Sequence, residues 1–215
     1  PSPSPSRQWN NQMTSADRNN VCLTASLVTE FTTEVDDVDL TGSNLGIEVY
    51  ECVSSTVTST NNNCTRASNT PIALYDPNNS NSTINLKSII TSNMGFTTTS
   101  MIEAVPATDR WDPNTWYQVV LTSNIEAKHS SSTLSKTNPC TNNSKSAYCY
   151  LFKTGTKDCK LKSLYITPYE YKTYRIETPI SGLTYRAHGL SDQKCVAMNV
   201  SGLSKKWSSA STTFA

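Results

Sequence analysis

From Val21 onward the chain alternates with period two. Val21, Leu23, Ala25, Leu27, Thr29, Phe31, Thr33 and Val35 fall on one face. A long run of β-branched and aliphatic residues at this spacing suits a pleated, half-buried strand and opposes a helix. Leu45, Ile47, Val49, Glu51 and Val53 repeat the pattern. The stretches "WYQVVLTS", "AYCYLFK", "KSLYITPYEYKTYRIE", "LTYRAHGL" and "KCVAMNVS" read as further strands. Pro71, Pro77, Pro113, Pro139 and Pro179 fall between these runs, where turns are expected. Residues 84–105 are the one region with room for a short helix. These features predict an all-β fold: an antiparallel β-sandwich, Ig-like or jelly-roll-like, of about eight or nine strands with long loops and at most one short helix. An extended Pro/Ser-rich arm is expected over residues 1–20, opening on "PSPSPS". A single sandwich domain is expected over 21–215, with a split near 106–114 as the alternative.

Hydrophobic residues make up only 36% of the 215 residues, and charged residues 16%. Thirty Ser, 30 Thr and 20 Asn fill the difference. Disordered chains combine low hydrophobicity with high net charge, whereas this one carries a formal +1. A folded domain with a polar, weakly charged surface follows.

Seven cysteines, Cys22, Cys52, Cys64, Cys140, Cys149, Cys159 and Cys195, point to disulfides and an oxidising compartment. No CxxC pair signals zinc or thioredoxin-type chemistry, and the odd count leaves one thiol over. Glycosylation sequons occur at Asn63, Asn78, Asn81, Asn142 and Asn199, clustered in turn-like stretches. The sequence contains no signal peptide and no apolar run of membrane-spanning length. The expectation is a mature or trimmed secreted chain at the extracellular, cell or virion surface.

The stretch Asp37 to Glu48, "DVDLTGSNLGIE", carries the ligand spacing of a helix–loop–helix calcium loop. Asp37, Asp39, Thr41 and Glu48 take the side-chain positions and Gly42 the turn. The flanks contradict the template, because residues 21–35 alternate as a strand and Ile47 and Val49 are β-branched. The reading adopted is a hairpin, strand 21–35 returning through an acidic turn to strand 45–53. No metal or cofactor is assigned.

Catalytic signals are sparse. The two histidines, His129 and His188, lie in no HExxH motif, and no GxSxG, GxxxxGK[ST] or GxGxxG occurs. Asp36, Asp37, Asp39, Glu103, Asp109 and Asp112 show no spacing that singles out a carboxylate pair. Trp111 and Trp116 in "RWDPNTW" have the faces to stack on a sugar, but the reading adopted places one in the core with the other covering it. No catalytic residue is assigned.

Charge is unevenly distributed. Between Arg18 and Arg66 the chain holds seven acids and no Lys or Arg. From Lys128 to Lys206 there are 13 basic and 4 acidic residues, interleaved with Tyr148, Tyr150, Tyr165, Tyr169, Tyr171 and Tyr174. Lys153, Lys157, Lys160, Lys162, Tyr169 and Tyr171 are the candidate ligand or subunit contacts. Opposite charges in two regions favour head-to-tail association of copies, or pairing within one molecule. The expected function is a non-catalytic extracellular structural glycoprotein that self-associates into a filament, wall or matrix. The alternatives are an adhesin or viral surface domain binding a glycan or host receptor, and then a secreted hydrolase. Nucleic acid is not an expected partner, since the net charge supplies no broad phosphate attraction.

Overall fold

The computed structural model describes residues 5–8, 18–31, 33, 35–36, 38–39, 43–57, 62–75, 85–86, 89–92, 98–128, 130–167, 186–193, 197–198 and 200. Of these, residues 5–8, 30, 39, 85–86, 89–92, 98–101, 165–167, 186 and 188 are described by backbone alone. The chain is all-β, with antiparallel strands throughout its sheets. Nine strands span four residues or more: β1 (Pro5–Gln8), β2 (Leu27–Phe31), β4 (Ile47–Cys52), β7 (Ile89–Ser92), β8 (Thr98–Pro106), β9 (Trp116–Thr122), β10 (Ser146–Lys153), β11 (Leu161–Thr167) and β12 (Arg186–Ser191). Four two-residue strands complete the set: β3 (Val38–Asp39), β5 (Leu74–Tyr75), β6 (Asn85–Leu86) and β13 (Ala197–Met198). A single 3-10 turn, Ser54–Thr56, interrupts them.

Two sheets enclose the core. One runs β1-β2-β8, with β5 and β7 also paired to β8; the other runs β10-β9-β4. Leu27, Phe31, Ile102 and Ala104 of the first share a buried cluster with Ile47, Val49, Tyr117, Val119, Leu121, Tyr150 and Phe152 of the second. Each large side chain buried this way contributes roughly 1.5–3 kcal/mol. Residues on both sides of the 106–114 segment belong to the cluster. Trp111 lies within it, 4.9 Å from the Tyr117 ring and edge-on to Phe152 at 5.5 Å. Its indole N–H donates to the Ala25 carbonyl at 2.8 Å, satisfying its polar handle inside the core. A third sheet, β11-β12-β13, joins through a bridge between Ala25 and Met198.

Two expectations are corrected. Residues 84–105 hold no helix within their described part, which forms β6, β7 and most of β8. β8 is flanked by β2 along one edge and by β7 and β5 along the other. Its Thr98, Thr99, Ile102 and Val105 are β-branched and fit that position. The hairpin between 21–35 and 45–53 does not form either: β2 pairs with β1 and β8, while β4 pairs with β9. The alternation of 21–35 survives as burial, since Val21, Leu23, Ala25, Leu27, Thr29, Phe31 and Val35 are all buried. The ladder itself covers only Leu27–Phe31, because Val21 and Val35 bridge instead to Thr154 and Ala127. Tyr148 and Tyr150 of β10 are core residues.

Gly42, the turn position of the calcium template, lies outside the described residues, whereas the second glycine of that stretch, Gly46, serves packing. A Cβ at Gly46 would collide with the Val38 side chain and lie 3.1 Å from Ile125 Cγ1. Gly46 therefore lets β3 close onto the entry to β4.

Six cysteines pair as Cys22–Cys159, Cys52–Cys64 and Cys140–Cys149. Cys195 lies outside the described residues. Cys22–Cys159 spans 137 residues and ties the segment before β2 to the segment before β11. Replacing both of its cysteines by serine should destabilise the fold by roughly 5 kcal/mol on the chain-entropy model, against about 3 kcal/mol for either short loop. Urea unfolding of the two kinds of variant checks the ranking; equal losses would show that loop length does not govern it.

Candidate functional site

Sheet β10-β9-β4 is buried on both faces. Its inner face carries the core. On its outer face Glu48, Tyr50 and Cys52 of β4 flank Val120, Gln118 and Trp116 of β9, with Cys149, Leu151 and Lys153 of β10 on the other side. Two loops lie over this face. The Cys52–Cys64 bond clips one to β4, and the Cys140–Cys149 bond clips the other to β10. The half-buried Trp116 packs against the first disulfide together with Leu151 and Val57.

Gln118 sits under both loops, fully buried. Its amide donates to the Asn62 carbonyl at 2.9 Å, and its oxygen accepts from Arg66 Nε at 3.1 Å and Asn142 Nδ2 at 3.3 Å. The Arg66 guanidinium lies 3.5 Å from the centroid of the Tyr50 ring, a cation–π contact. Tyr50 donates to Glu48 Oε2, which also accepts from Asn143 Nδ2 at 2.7 Å. Burial, then the hydrogen bond to Glu48 and its charge, push the Tyr50 hydroxyl up to about 12, with Arg66 opposing. Asn63 Nδ2 donates to Thr141 Oγ1, and Asn142 Nδ2 donates to the Cys64 carbonyl, so the loops also hold each other.

This placement bears on two sequons and on the calcium-like stretch. Asn142 Nδ2 donates to both Cys64 and Gln118, so a glycan on it would replace one of these bonds. Asn78, Asn81 and Asn199 lie outside the described residues. Glu48, the twelfth position of the calcium template, stands on a strand with its carboxylate engaged by Tyr50 and Asn143. Asp37 and Thr41 lie outside the described residues. Among the described residues no three His, Cys, Asp or Glu side chains are grouped to hold a metal ion.

A groove of about 580 Å³ opens at one end of the sandwich, between β4 and the end of β8. Glu51, Arg110, Asp112, Ile72, Pro106, Pro113 and Tyr117 line it. The Asp112 amide donates to the Tyr117 hydroxyl at 3.0 Å. Burial raises that hydroxyl to about 12; the Asp112 hydrogen bond lowers it, and the charges of Asp112 and Glu51 raise it. Thr154 Oγ1 donates to the Asp112 carbonyl at 2.6 Å and accepts from the Thr115 amide, anchoring the groove's turn to the end of β10. Asp109 and Asn114, at φ of 61° and 55°, make the tight bends around Trp111. Trp111 is core, and the half-buried Trp116 packs on the Cys52–Cys64 disulfide.

The candidate contacts divide. Lys157, Lys160 and Lys162 are exposed beside and on β11, while Lys153 is half-buried on β10. Tyr169 and Tyr171 lie outside the described residues, as does His129. His188 stands opposite Tyr165 on the β12 backbone, with its side chain outside the description. Glu103 is buried; Asp109 accepts from the Tyr75 hydroxyl. Among the described residues an ion pair joins Arg110 to Asp158 at 3.3 Å. It does not join the acidic 30–51 stretch to the basic one. On the backbone Glu30 stands opposite Arg7 of the N-terminal arm.

Gln118 and the groove were not singled out from sequence. A lone glutamine inside the apolar run "WYQVVL" is the available signal: a polar residue on a strand buried on both faces needs partners. No protein-family model, no curated protein and no solved structure matches this chain. Gln118→Ala leaves Arg66 Nε, the Asn62 carbonyl and the Asn142 amide without their partner. It should destabilise the protein by about 2–3 kcal/mol, seen in urea unfolding; an unchanged midpoint would contradict the bridging role.

Proposed function

We propose that this chain is a non-catalytic structural subunit of an extracellular surface assembly, a glycoprotein that associates with copies of itself in a filament, wall or matrix. The observation that carries the reading is the third sheet. Leu161 and Leu164, which the register places on one face of β11, are 42% and 54% exposed, and Lys157, Lys160 and Lys162 beside and on that strand are exposed too. A pair of exposed apolar side chains on one sheet face supplies apolar area for a contact. Three disulfides and a surface rich in Ser, Thr and Asn suit an oxidising, hydrated exterior. Among the described residues no helix is long and apolar enough to cross a membrane.

The same lysines support a second reading, an adhesin or viral surface domain that holds an anionic glycan or a host receptor. Binding would then depend on Lys160 and Lys162 while the protein stays monomeric. A secreted hydrolase ranks below both, because the sequence carries no nucleophile or acid–base motif.

Static light scattering and negative-stain microscopy across concentration and salt test the first reading. Particles larger than the 23.6 kDa chain should form as concentration rises and weaken with added salt. A strictly monomeric particle that captures a sulfated or sialylated glycan would support the second reading instead.

A further inference from the structure

The groove and the lysine strip border each other on one surface. Segments 110–114 and 155–158 run side by side: the Asn114 amide donates to the Gly155 carbonyl at 3.0 Å. The Leu23 amide donates to the Lys157 carbonyl, and the Leu23 carbonyl accepts from the Trp111 amide, each at 2.9 Å. Arg110, on the groove, pairs with Asp158, between the lysines. This pair neutralises its own charges. To one side it leaves the carboxylates of Glu51 and Asp112, both exposed, above the apolar walls of Ile72, Pro106 and Pro113. To the other side it leaves Lys157, Lys160 and Lys162 with Leu161 and Leu164, all exposed.

We infer that this surface is a self-complementary docking site for a second copy of the chain. Segment 157–162 of each copy occupies the Glu51/Asp112 groove of the other. The proposal rests on the self-association reading and names its surface. Charge complementarity selects the occupant: the Glu51 and Asp112 carboxylates above apolar walls fit lysine side chains, and Lys157, Lys160 and Lys162 lie on the segment that borders the groove. Because donor and acceptor patches are contiguous, a two-fold contact satisfies both grooves and both strips in one event. A head-to-tail contact through the same patches would leave one groove open at one end and one strip open at the other. Opposite charges facing across the contact also steer the two copies into register. Larger assemblies would then be built from this pair through other surfaces.

The test is sedimentation equilibrium of the full chain in low salt, with three samples beside the wild type. These are the variant K160E/K162E, the variant E51K/D112K, and an equimolar mixture of the two. All four substituted side chains are exposed, and circular dichroism melts verify that each variant folds. The wild type should form a dimer. Each variant alone should dimerise at least about tenfold more weakly, and the mixture should recover wild-type affinity because both swapped contacts are attractive again. Raising salt to 0.5 M should weaken the wild-type dimer. If the wild type associates and both variants associate equally well, the contact lies elsewhere: the inference falls and the assembly reading stands. If the wild type stays monomeric at every concentration, both fall. Binding of a sulfated polysaccharide by the monomer, lost in K160E/K162E, would also overturn the inference by giving the strip a different occupant.

Discussion

The structure depends on a three-stranded sheet being buried on both faces. A core on the inner side of β4-β9-β10 is ordinary hydrophobic burial, with Val119 and Phe152 packed against Leu27, Phe31 and Ile102. The outer side has no third layer of apolar residues to cover it. The loops that lie there are built from Asn, Ser and Thr, whose transfer from water supplies little driving force. Two short-range disulfides hold them in place. With the loops fixed, Gln118, Asn142, Asn62 and Arg66 can exchange water for one another. A chain with 36% hydrophobic residues thus completes a second buried layer from covalent clips and amide hydrogen bonds, where a longer apolar inventory would otherwise be needed.

That economy shapes the surface. With the outer face closed and few ion pairs among the described residues, charge remains concentrated where the fold does not consume it. Among the described residues, Glu51 and Asp112 stand exposed in the groove at the end of the sandwich and Lys157, Lys160 and Lys162 at the start of β11, with Arg110–Asp158 between them. A rigid scaffold carrying adjacent complementary patches is suited to specific contact, and the exposed leucines of the third sheet give that contact apolar area. The proposed role in an assembly follows from this distribution.

The strands with unbroken apolar runs, β9 and β10, were legible from sequence because each residue type agrees with a sheet buried on both sides. The face of residues 21–35 was legible as burial and misleading as a ladder. Alternation records which side chains face inward, but not which neighbour receives the backbone hydrogen bonds, and Val21 and Val35 found partners at Thr154 and Ala127. Residues 84–105 mix apolar and Thr-rich stretches with no clean period, so the pairing of β8 with β2 and β7 decided their conformation from outside. Tyr148 and Tyr150 stand opposite Leu121 and Val119, a register that turns them into the core. The groove was invisible because Glu51 and Asp112 meet only after the sheets pack. Disulfide connectivity was beyond reach for the same reason, since seven cysteines permit many pairings and Cys22 finds Cys159 across 137 residues.

The central claim is that specific covalent clips hold polar lids over the outer face of β9. Peptide mapping by mass spectrometry of the native, unreduced protein tests it most directly. The account predicts peptides linked through Cys52–Cys64 and Cys140–Cys149, together with Cys22–Cys159. Reduced thiols at Cys52, Cys64, Cys140 and Cys149, or a crossed pairing among these four, would contradict it.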